Sequence, residues 1–248
     1  MGLLRFREGH RTWQLSLMAL MAALYVVFSF VPGIRIPGLP SLKIQVEALF
    51  ASIVGVLLGP FYGSISIFLG TLLALYLPPG GPSLISFLFL PCPAFNALIS
   101  GLLYEKMWKP ALIFLLLPVV AIILSPIFNP LLQHWYVLLM ATYDKILVLL
   151  LAPVLNVISR RNHFLGFILL CFIGAEADNI LGNAIFSNPL IYRGVFGISE
   201  KIARGLYVAG ALFYPLLRLL QGFIAGVVLF SLYSILSKEG ESPIFRGN

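Results

Sequence analysis

The chain has 248 residues, of which 60% are hydrophobic and 10% are charged, and its formal net charge is +7. With a mean hydropathy of +1.01, it has too few polar side chains to cover a water-facing globule, so a soluble protein is excluded. The sequence has no basic stripe interleaved with aromatic residues, so a nucleic-acid surface is not expected. The composition predicts a protein that is solvated by a lipid bilayer.

Eight apolar segments follow one another and predict an all-α, polytopic membrane bundle that forms one integral membrane domain over residues 1–248. The segments lack an alternation with a period of two, which favours helices over a barrel. The second, third and fifth are short for a hydrocarbon core of about 30 Å, so they should stand nearly upright or reach only part-way. The segments are 14–31, 44–58, 61–77, 84–104, 110–125, 133–158, 164–184 and 205–236.

The connections between these segments differ in their content of basic residues. If the N-terminus is cytoplasmic, nine Lys and Arg residues lie on the inner side and five lie on the outer side. Because basic residues favour the cytoplasmic side of a membrane, this bias predicts that both termini are cytoplasmic. Most of the positive net charge is then a topology signal, with anionic lipid as its neighbour.

Proline and glycine mark the connections. Gly59 and Pro60 separate the second and third segments, which predicts a tight helical hairpin at the inner face. The outer connections VPGIRIPGLPSLK and LPPGGPS are expected to be irregular but stiff, and suited to lie over a cavity. The outer segment 185–204 is long and mixed enough to contain a short surface helix.

Small residues determine how closely the helices can approach one another. Ala19, Ala22 and Ala23 follow at spacings of three and four in the first segment and predict a smooth strip for helix packing. The third segment repeats this pattern with Gly63, Gly70 and Ala74. Ordinary packing inside the bundle is the simpler interpretation, and an external docking surface is the alternative.

The seventh segment carries a row of polar side chains. In IGAEADNILGNAIF, Glu176, Asn179 and Asn183 follow at i, i+3 and i+7, which places them on one helical face in the outer half of the membrane. Asp178 points elsewhere. Because ionisable groups inside a membrane are expensive and usually functional, this row predicts a substrate-binding surface.

The last segment presents a second polar stripe, with Pro215 expected to bend it. An isolated charge in hydrocarbon is costly, so Arg218 should pair with a carboxylate, and Glu176 or Asp178 is the expected partner. A polar cavity between the last two helices would result. The stripe consists of Tyr207, Ala211, Tyr214, Arg218 and Gln221.

Polar residues of other segments either face the same space or join helices to one another. Asn96, in PCPAFNALIS, fits stapling and ligand contact equally well, whereas Glu47, near the interface, is expected to be solvated. Asp144 and Lys145 lie about 100° apart around a helix, so each is expected to have a different partner.

The sequence lacks the common motifs of catalysis. It contains no Gly-rich phosphate loop, no His-Glu-x-x-His and no Gly-x-Ser-x-Gly, so we expect no enzyme and no ATP hydrolysis by this chain itself. Cys92 and Cys171 fall in apolar segments, where a thiol usually behaves as a small apolar side chain. Neither a cofactor nor a metal site is predicted.

Three stretches together resemble a known family. They are LSLMALMAALYVVFSFVPGIRIPG, ALFASIVGVLLGPFYGSISIFLGTLLALYL and FLFLPCPAFNALISGLLYEK, with an Ala-rich first helix, an outer loop, a Gly-Pro-x-x-Gly hairpin and an Asn in the fourth helix. This pattern resembles the substrate-specificity (S) component of energy-coupling factor (ECF) transporters. The ending GAEADNILGNAIF with YPLLRLLQGFIAGVV is also similar to that family's last helices.

The resemblance implies a multi-pass protein of a prokaryotic cell membrane that binds a vitamin or related micronutrient near the outer face. It implies that Ala19 and Ala23 dock a transmembrane coupling protein served by two ATPases, and that residues 35–43 belong to a lid over the substrate. The family core has six helices whereas eight are predicted here. Either two helices are additions, or the division of 105–158 is wrong.

The residues and the resemblance together predict uptake of a small polar or amphipathic solute. We expect the outer loops to close over it and a partner complex to couple ATP hydrolysis to its release inside. The acidic surplus favours a solute that bears amines or amides. A proton-coupled secondary transporter, with Asp144, Glu176 or Asp178 as the proton carrier, and a non-transporting membrane scaffold are the alternatives. The predicted substrate-binding residues are Glu176, Asn179, Asn183, Tyr214, Arg218 and Asn96.

Overall fold

The computed structural model describes residue 3 and residues 11–31, 34–36, 39–44, 48–77 and 81–238. Glu47, which the sequence predicts to be solvated, lies outside these residues. The predicted all-α fold is confirmed, with one small hairpin added. The helices are α1 (Arg11–Ser29), α2 (Ala48–Leu58), α3 (Pro60–Ala74), α4 (Leu84–Phe89), α5 (Pro91–Tyr104), α6 (Trp108–Ile123), α7 (Leu131–Arg161), α8 (His163–Phe186), α9 (Glu200–Gly210) and α10 (Phe213–Lys238).

Within the described residues, eight apolar helical stretches correspond to the eight predicted segments. Five of them, namely α1, α4 with α5, α7, α8 and α10, are long and apolar enough to cross a membrane. The other three, α2, α3 and α6, have 11, 15 and 16 residues, so they extend only about 16–24 Å. The prediction of three short helices is confirmed. The division of 105–158 into two helices is also correct, because α6 and α7 occupy that range.

Helix α8 lies at the centre of the bundle and packs against α2, α5, α6, α7 and α10. Every residue from Leu170 to Ile180 is buried, which explains why this helix is apolar on nearly all sides. A polar side chain on this stretch therefore has to find its partners on neighbouring helices. The bundle places the ionisable residues of α8 where lipid cannot reach them.

Close backbone contacts hold α2, α3 and α5 together. A methyl group added at Gly55 of α2 would lie 2.2 Å from the carbonyl oxygen of Ala97, and one added at Gly101 of α5 would lie 2.6 Å from the backbone nitrogen of Pro60. Only glycine permits these approaches. The predicted α2–α3 hairpin is confirmed, with Gly59 at a φ of 84° between the two helices and Pro60 as the first residue of α3.

The first outer connection differs from the irregular loop that we expected. Strands β1 (Ile34–Ile36) and β2 (Leu39–Ile44) pair in an antiparallel hairpin, with Arg35 opposite Lys43 and a register shift between Arg35 and Ile36. The alternation of β-branched or long apolar residues with polar ones in IRI and LKI favours strands. The prolines nearby had favoured an irregular loop over a pair of strands. The outer segment 185–204 does contain the expected helix, as a π-helix (Leu190–Val195) followed by α9.

The last predicted segment, 205–236, is wrong as a single helix. It is broken at residues 211–212, which separate α9 from α10, and the expected bend at Pro215 lies in the first turn of α10. Proline has no N–H, so the carbonyl of Ala211, four residues earlier, loses its helical donor. The hydroxyl of Tyr143 in α7 donates to this carbonyl instead, at 2.5 Å. The break is therefore stabilised by a neighbouring helix.

Candidate functional site

The buried charged residues of three helices meet in one half of the bundle. They lie toward the C-terminal end of α8, the N-terminal end of α10 and the N-terminal half of α7. Because α8 runs opposite to its neighbours α7 and α10, these parts share one end, the end that bears the 187–200 connection and α9. The positive-inside bias of the sequence predicts that this is the outer end.

Arg218 of α10 pairs with Asp178 of α8, one of the two carboxylates expected from the sequence. Its Nη2 lies 2.8 Å from Asp178 Oδ2, and its Nη1 donates to Gln221 Oε1 at 2.9 Å. Arg218 is 6% exposed and Asp178 is 9% exposed, so the pair is shielded from both lipid and water. Two charges at this depth persist only because they neutralise each other.

Glu176, Asn179 and Asn183 form the hydrogen-bonded row that their spacing predicts. Asn179 Nδ2 donates to Glu176 Oε2 at 3.0 Å, and Asn183 Nδ2 donates to Asn179 Oδ1 at 3.0 Å. Burial increases along the row, from half-buried Asn183 to Glu176, which is 0% exposed. The row therefore leads from the outer end of α8 toward the middle of the bundle.

The prediction that Asp144 and Lys145 have different partners is wrong. Lys145 Nζ donates to both carboxylate oxygens of Asp144, at 3.0 and 2.8 Å, and both residues are 3% exposed. The long Lys side chain reaches the neighbouring carboxylate despite the 100° separation. Both charges are buried, and an unpaired charge would be costly there. Both groups also interact electrostatically with Glu176.

Tyr214 stands at the outer side of this cluster. It is half-buried, its ring packs against Gly210 at the end of α9, and it interacts electrostatically with Arg218. Together these helices bring three carboxylates close to two basic groups. If all were ionised, the cluster would carry a charge of −1, from Asp144, Glu176 and Asp178 against Lys145 and Arg218.

Aromatic residues cover the outer end of the cluster. The ring of Tyr207 in α9 lies 5.4 Å from that of Phe128 and 5.9 Å from that of Phe186, and its hydroxyl donates to the Asn183 carbonyl at 3.2 Å. In the π-helix, burial followed by the Glu200 carboxylate raises the pKa of Tyr192, whose hydroxyl donates to Glu200 Oε1 at 3.3 Å. These contacts attach α9 to the end of the bundle.

Asn96 lies apart from this cluster, and its hydrogen bonds join α5 to α2. Its Oδ1 accepts hydrogen bonds from Ser52 at 2.7 Å and Ser100 at 3.1 Å, and its Nδ2 donates to the Ala48 carbonyl at 2.8 Å. Gly174 of α8 packs directly on this amide. These contacts are those of a polar staple, and a role of Asn96 in binding stays a prediction.

A groove lies on the other side of α8. It has a volume of about 570 Å³, and it opens toward lipid beside the exposed side chains of Phe114 and Leu117. Its wall on α8 is formed by Leu181, Ala184 and Ile185, which face away from the polar row. None of the predicted binding residues lines this groove.

The small residues of α1 divide between two faces. Ala22 is buried against α3, where a methyl group added at Gly70 would lie 2.9 Å from its carbonyl oxygen. Ala19 and Ala23 point away from the bundle and are exposed. Internal packing and an outward-facing strip therefore coexist on one helix.

Sequence reasoning missed Tyr143, which supports the break between α9 and α10. The available signal was a tyrosine next to Asp144 in an apolar helix, together with a proline in α10 that frees a carbonyl. No group of three His, Cys, Asp or Glu side chains that could hold a metal ion occurs within the described part of the chain.

An all-α bundle of apolar helices with buried charge pairs in its outer half is a multi-pass membrane protein. The family model of the ECF-type riboflavin transporter, S component, matches residues 10–170, and the chain belongs to this family. The resemblance inferred from the sequence is thereby confirmed, and the chain is a substrate-binding component of a transporter. The matched range ends before the polar row of α8.

A solved structure that is similar to this chain is the S-component for biotin from an ECF-type ABC transporter. The two sequences are 18% identical, the match covers 93% of this chain and 95% of that chain, and the TM-score is 0.46. No curated protein matches the sequence.

Proposed function

We propose that this chain binds riboflavin, or a closely related vitamin, and delivers it to an ATP-driven uptake complex in a prokaryotic cell membrane. The family to which the chain belongs is that of the ECF-type riboflavin transporter S component, and this description motivates the choice of solute. The observation that carries the proposal is the buried cluster of α7, α8 and α10. Five ionisable groups inside one half of a membrane bundle are costly, and such groups usually mark a functional site.

Within this proposal the solute enters from the outer end and meets the polar row of α8. Asn183 and Tyr214 are half-buried and would be the first contacts, followed by Asn179, Glu176 and the Arg218–Asp178 pair. The β1–β2 hairpin and α9 are the outer elements available to cover the bound solute. Amide and carboxyl groups in an otherwise apolar wall suit a solute with both ring and polar parts.

The exposed face of α1 supports docking to a transmembrane coupling protein. Ala19 and Ala23 are one turn apart and exposed, and large apolar residues flank them, with Leu20 52% and Val27 61% exposed. Small residues at this spacing let a partner helix approach closely. The coupling protein would in turn be served by two ATPases, as the resemblance of the sequence to ECF S components implies.

Binding of riboflavin to the purified chain, without ATPases and without an ion gradient, tests this proposal. Quenching of riboflavin fluorescence is expected to saturate at one solute per chain. A membrane scaffold would show no binding. A proton-coupled secondary transporter would, in addition, move the solute into vesicles that contain this chain alone when a proton gradient is imposed, and that result would contradict the ATP-driven proposal.

A further inference from the structure

Glu176 has two carboxyl oxygens in different environments. Oε2 accepts a hydrogen bond from Asn179, but Oε1 has no hydrogen-bond partner among the described residues, although Glu176 is 0% exposed. Buried polar atoms are nearly always hydrogen-bonded, so an orphaned carboxyl oxygen requires an explanation. It lies at the inner end of the row that begins with half-buried Asn183.

The basic groups near Glu176 are already committed to other carboxylates. Lys145 of α7 binds both oxygens of Asp144, and Arg218 of α10 binds Asp178. Each base thus neutralises one acid, and Glu176 is the carboxyl that remains without a counter-charge. An ionised Glu176 would leave a net negative charge inside the membrane, which is costly.

Among the residues that the structure describes, the other titratable groups around Glu176 offer no additional positive charge. From α7, Tyr143 faces both Asp144 and Glu176, and from α10, Tyr214 lies beside Arg218. Helix α5 contributes Cys92, which interacts with Asp178 and Arg218 rather than with Glu176. A proton on Glu176 therefore makes the cluster electrically neutral without any further group.

We propose that Glu176 is a neutral carboxylic acid whose Oε1–H donates a hydrogen bond to a carbonyl oxygen of an uncharged solute. Since Oε2 already accepts from Asn179, the proton belongs on Oε1, the oxygen without a partner. A carboxyl kept neutral in an apolar site is a known way to provide a hydrogen-bond donor at neutral pH. Glu176 would then determine specificity, and it would reject solutes that present an anion or a cation at this point.

This inference rests on the proposed function for the identity of the solute, and riboflavin fits it. The ring system of riboflavin is uncharged at neutral pH and carries carbonyl oxygens along one edge. The protonation of Glu176 itself does not depend on riboflavin, so it can be tested in the protein without solute.

Infrared spectroscopy of the purified, solute-free protein tests the proton. We expect a carboxylic-acid C=O band at neutral pH that shifts in D₂O and is absent from Glu176→Gln. Glu200→Gln, a substitution at the half-buried first residue of α9, should leave the band unchanged. If wild type has no such band, or if the band survives in Glu176→Gln, the inference is overturned whether or not riboflavin binds.

Riboflavin titrations test the hydrogen bond. Glutamine keeps an N–H donor without a charge, so Glu176→Gln should bind about as tightly as wild type, whereas Glu176→Ala should bind about tenfold more weakly. Wild-type affinity should fall as the pH rises and Glu176 loses its proton, and the affinity of Glu176→Gln should not. Equal losses in the Gln and Ala variants would show that an ionised carboxylate is needed and would overturn the inference. If wild type binds no riboflavin, the proposed function fails, while the infrared result still decides the state of Glu176.

Discussion

At the scale of single residues, the stability of the bundle depends on how its buried charges are paired. The Arg218–Asp178 pair joins α10 to α8 at 2.8 Å, and neither residue has solvent that could stabilise it alone. The pair therefore contributes little by its presence, but its disruption leaves one uncompensated charge in an apolar environment.

Replacing Arg218 by methionine is expected to lower the free energy of unfolding by about 3–5 kcal/mol, because Asp178 is then buried without a partner. The double variant Arg218→Met with Asp178→Asn should recover most of this loss. Denaturant unfolding in detergent measures both. Arg193→Met is the matched control, since Arg193 pairs with Glu200 at a side-chain exposure of 58% and should contribute at most about 1 kcal/mol. A double variant as unstable as the single one would contradict this account.

A second prediction at this scale concerns the Tyr143 hydroxyl. It satisfies the Ala211 carbonyl that Pro215 deprives of a helical donor. Tyr143→Phe should therefore cost about 1–3 kcal/mol of unfolding free energy. In a Pro215→Ala background the restored N–H can serve the same carbonyl, so the cost of Tyr143→Phe should be smaller. Identical costs in the two backgrounds would show that the hydroxyl has another role.

At the scale of helices, glycine decides which pairs can pack backbone to backbone. Gly55→Ala would place a methyl group 2.2 Å from the Ala97 carbonyl oxygen, so α2 and α5 would have to separate. We expect a loss of about 1–3 kcal/mol in unfolding free energy. Gly205→Ala in α9 meets no atom within 4 Å and should instead stabilise the protein by up to about 1 kcal/mol. Thermal unfolding of the two variants compares them directly, and a neutral Gly55→Ala would refute the close packing.

Most of the spanning helices were predictable from the sequence, because an apolar run of sufficient length indicates a spanning helix whatever its neighbours are. The row of Glu176, Asn179 and Asn183 followed from helical periodicity, and a carboxylate partner for Arg218 followed from the cost of an isolated charge. The break at residues 211–212 is stabilised by a hydroxyl from α7, and this pairing between distant residues is not evident from the sequence around the break.

The pairing of Asp144 with Lys145 was not predictable for a similar reason. Helical geometry separates their Cα–Cβ directions, but the length of the Lys side chain and the lack of other partners at that depth decide the outcome. The tertiary environment, rather than the local pattern, thus determined the parts of the site that sequence reasoning missed.

At the scale of the whole molecule, the proposed solute site and the proposed partner surface lie on different helices. The charged cluster lies between α7, α8 and α10, whereas the exposed small residues lie on α1, which packs on α3. A substitution on one surface should therefore leave the function of the other intact.

Ala19→Trp and Ala23→Trp are expected to prevent co-purification with the coupling protein and ATPases, because the bulky ring keeps a partner helix away. Riboflavin binding by the isolated chain should be unchanged. Ala121→Trp, at an exposed alanine of α6, is the control and should leave the complex intact. Recovery of a normal complex with both α1 variants would place the docking surface elsewhere.

The central claim is that the polar cluster of α7, α8 and α10 binds the solute, and one pair of variants tests it most directly. Asn183 is a half-buried asparagine at the outer entry of the row, and Asn156 is a half-buried asparagine in the inner half of α7. Fluorescence titration with riboflavin should give about tenfold weaker binding for Asn183→Ala and wild-type binding for Asn156→Ala. Unchanged affinity in Asn183→Ala, with the fold retained, would contradict the claim.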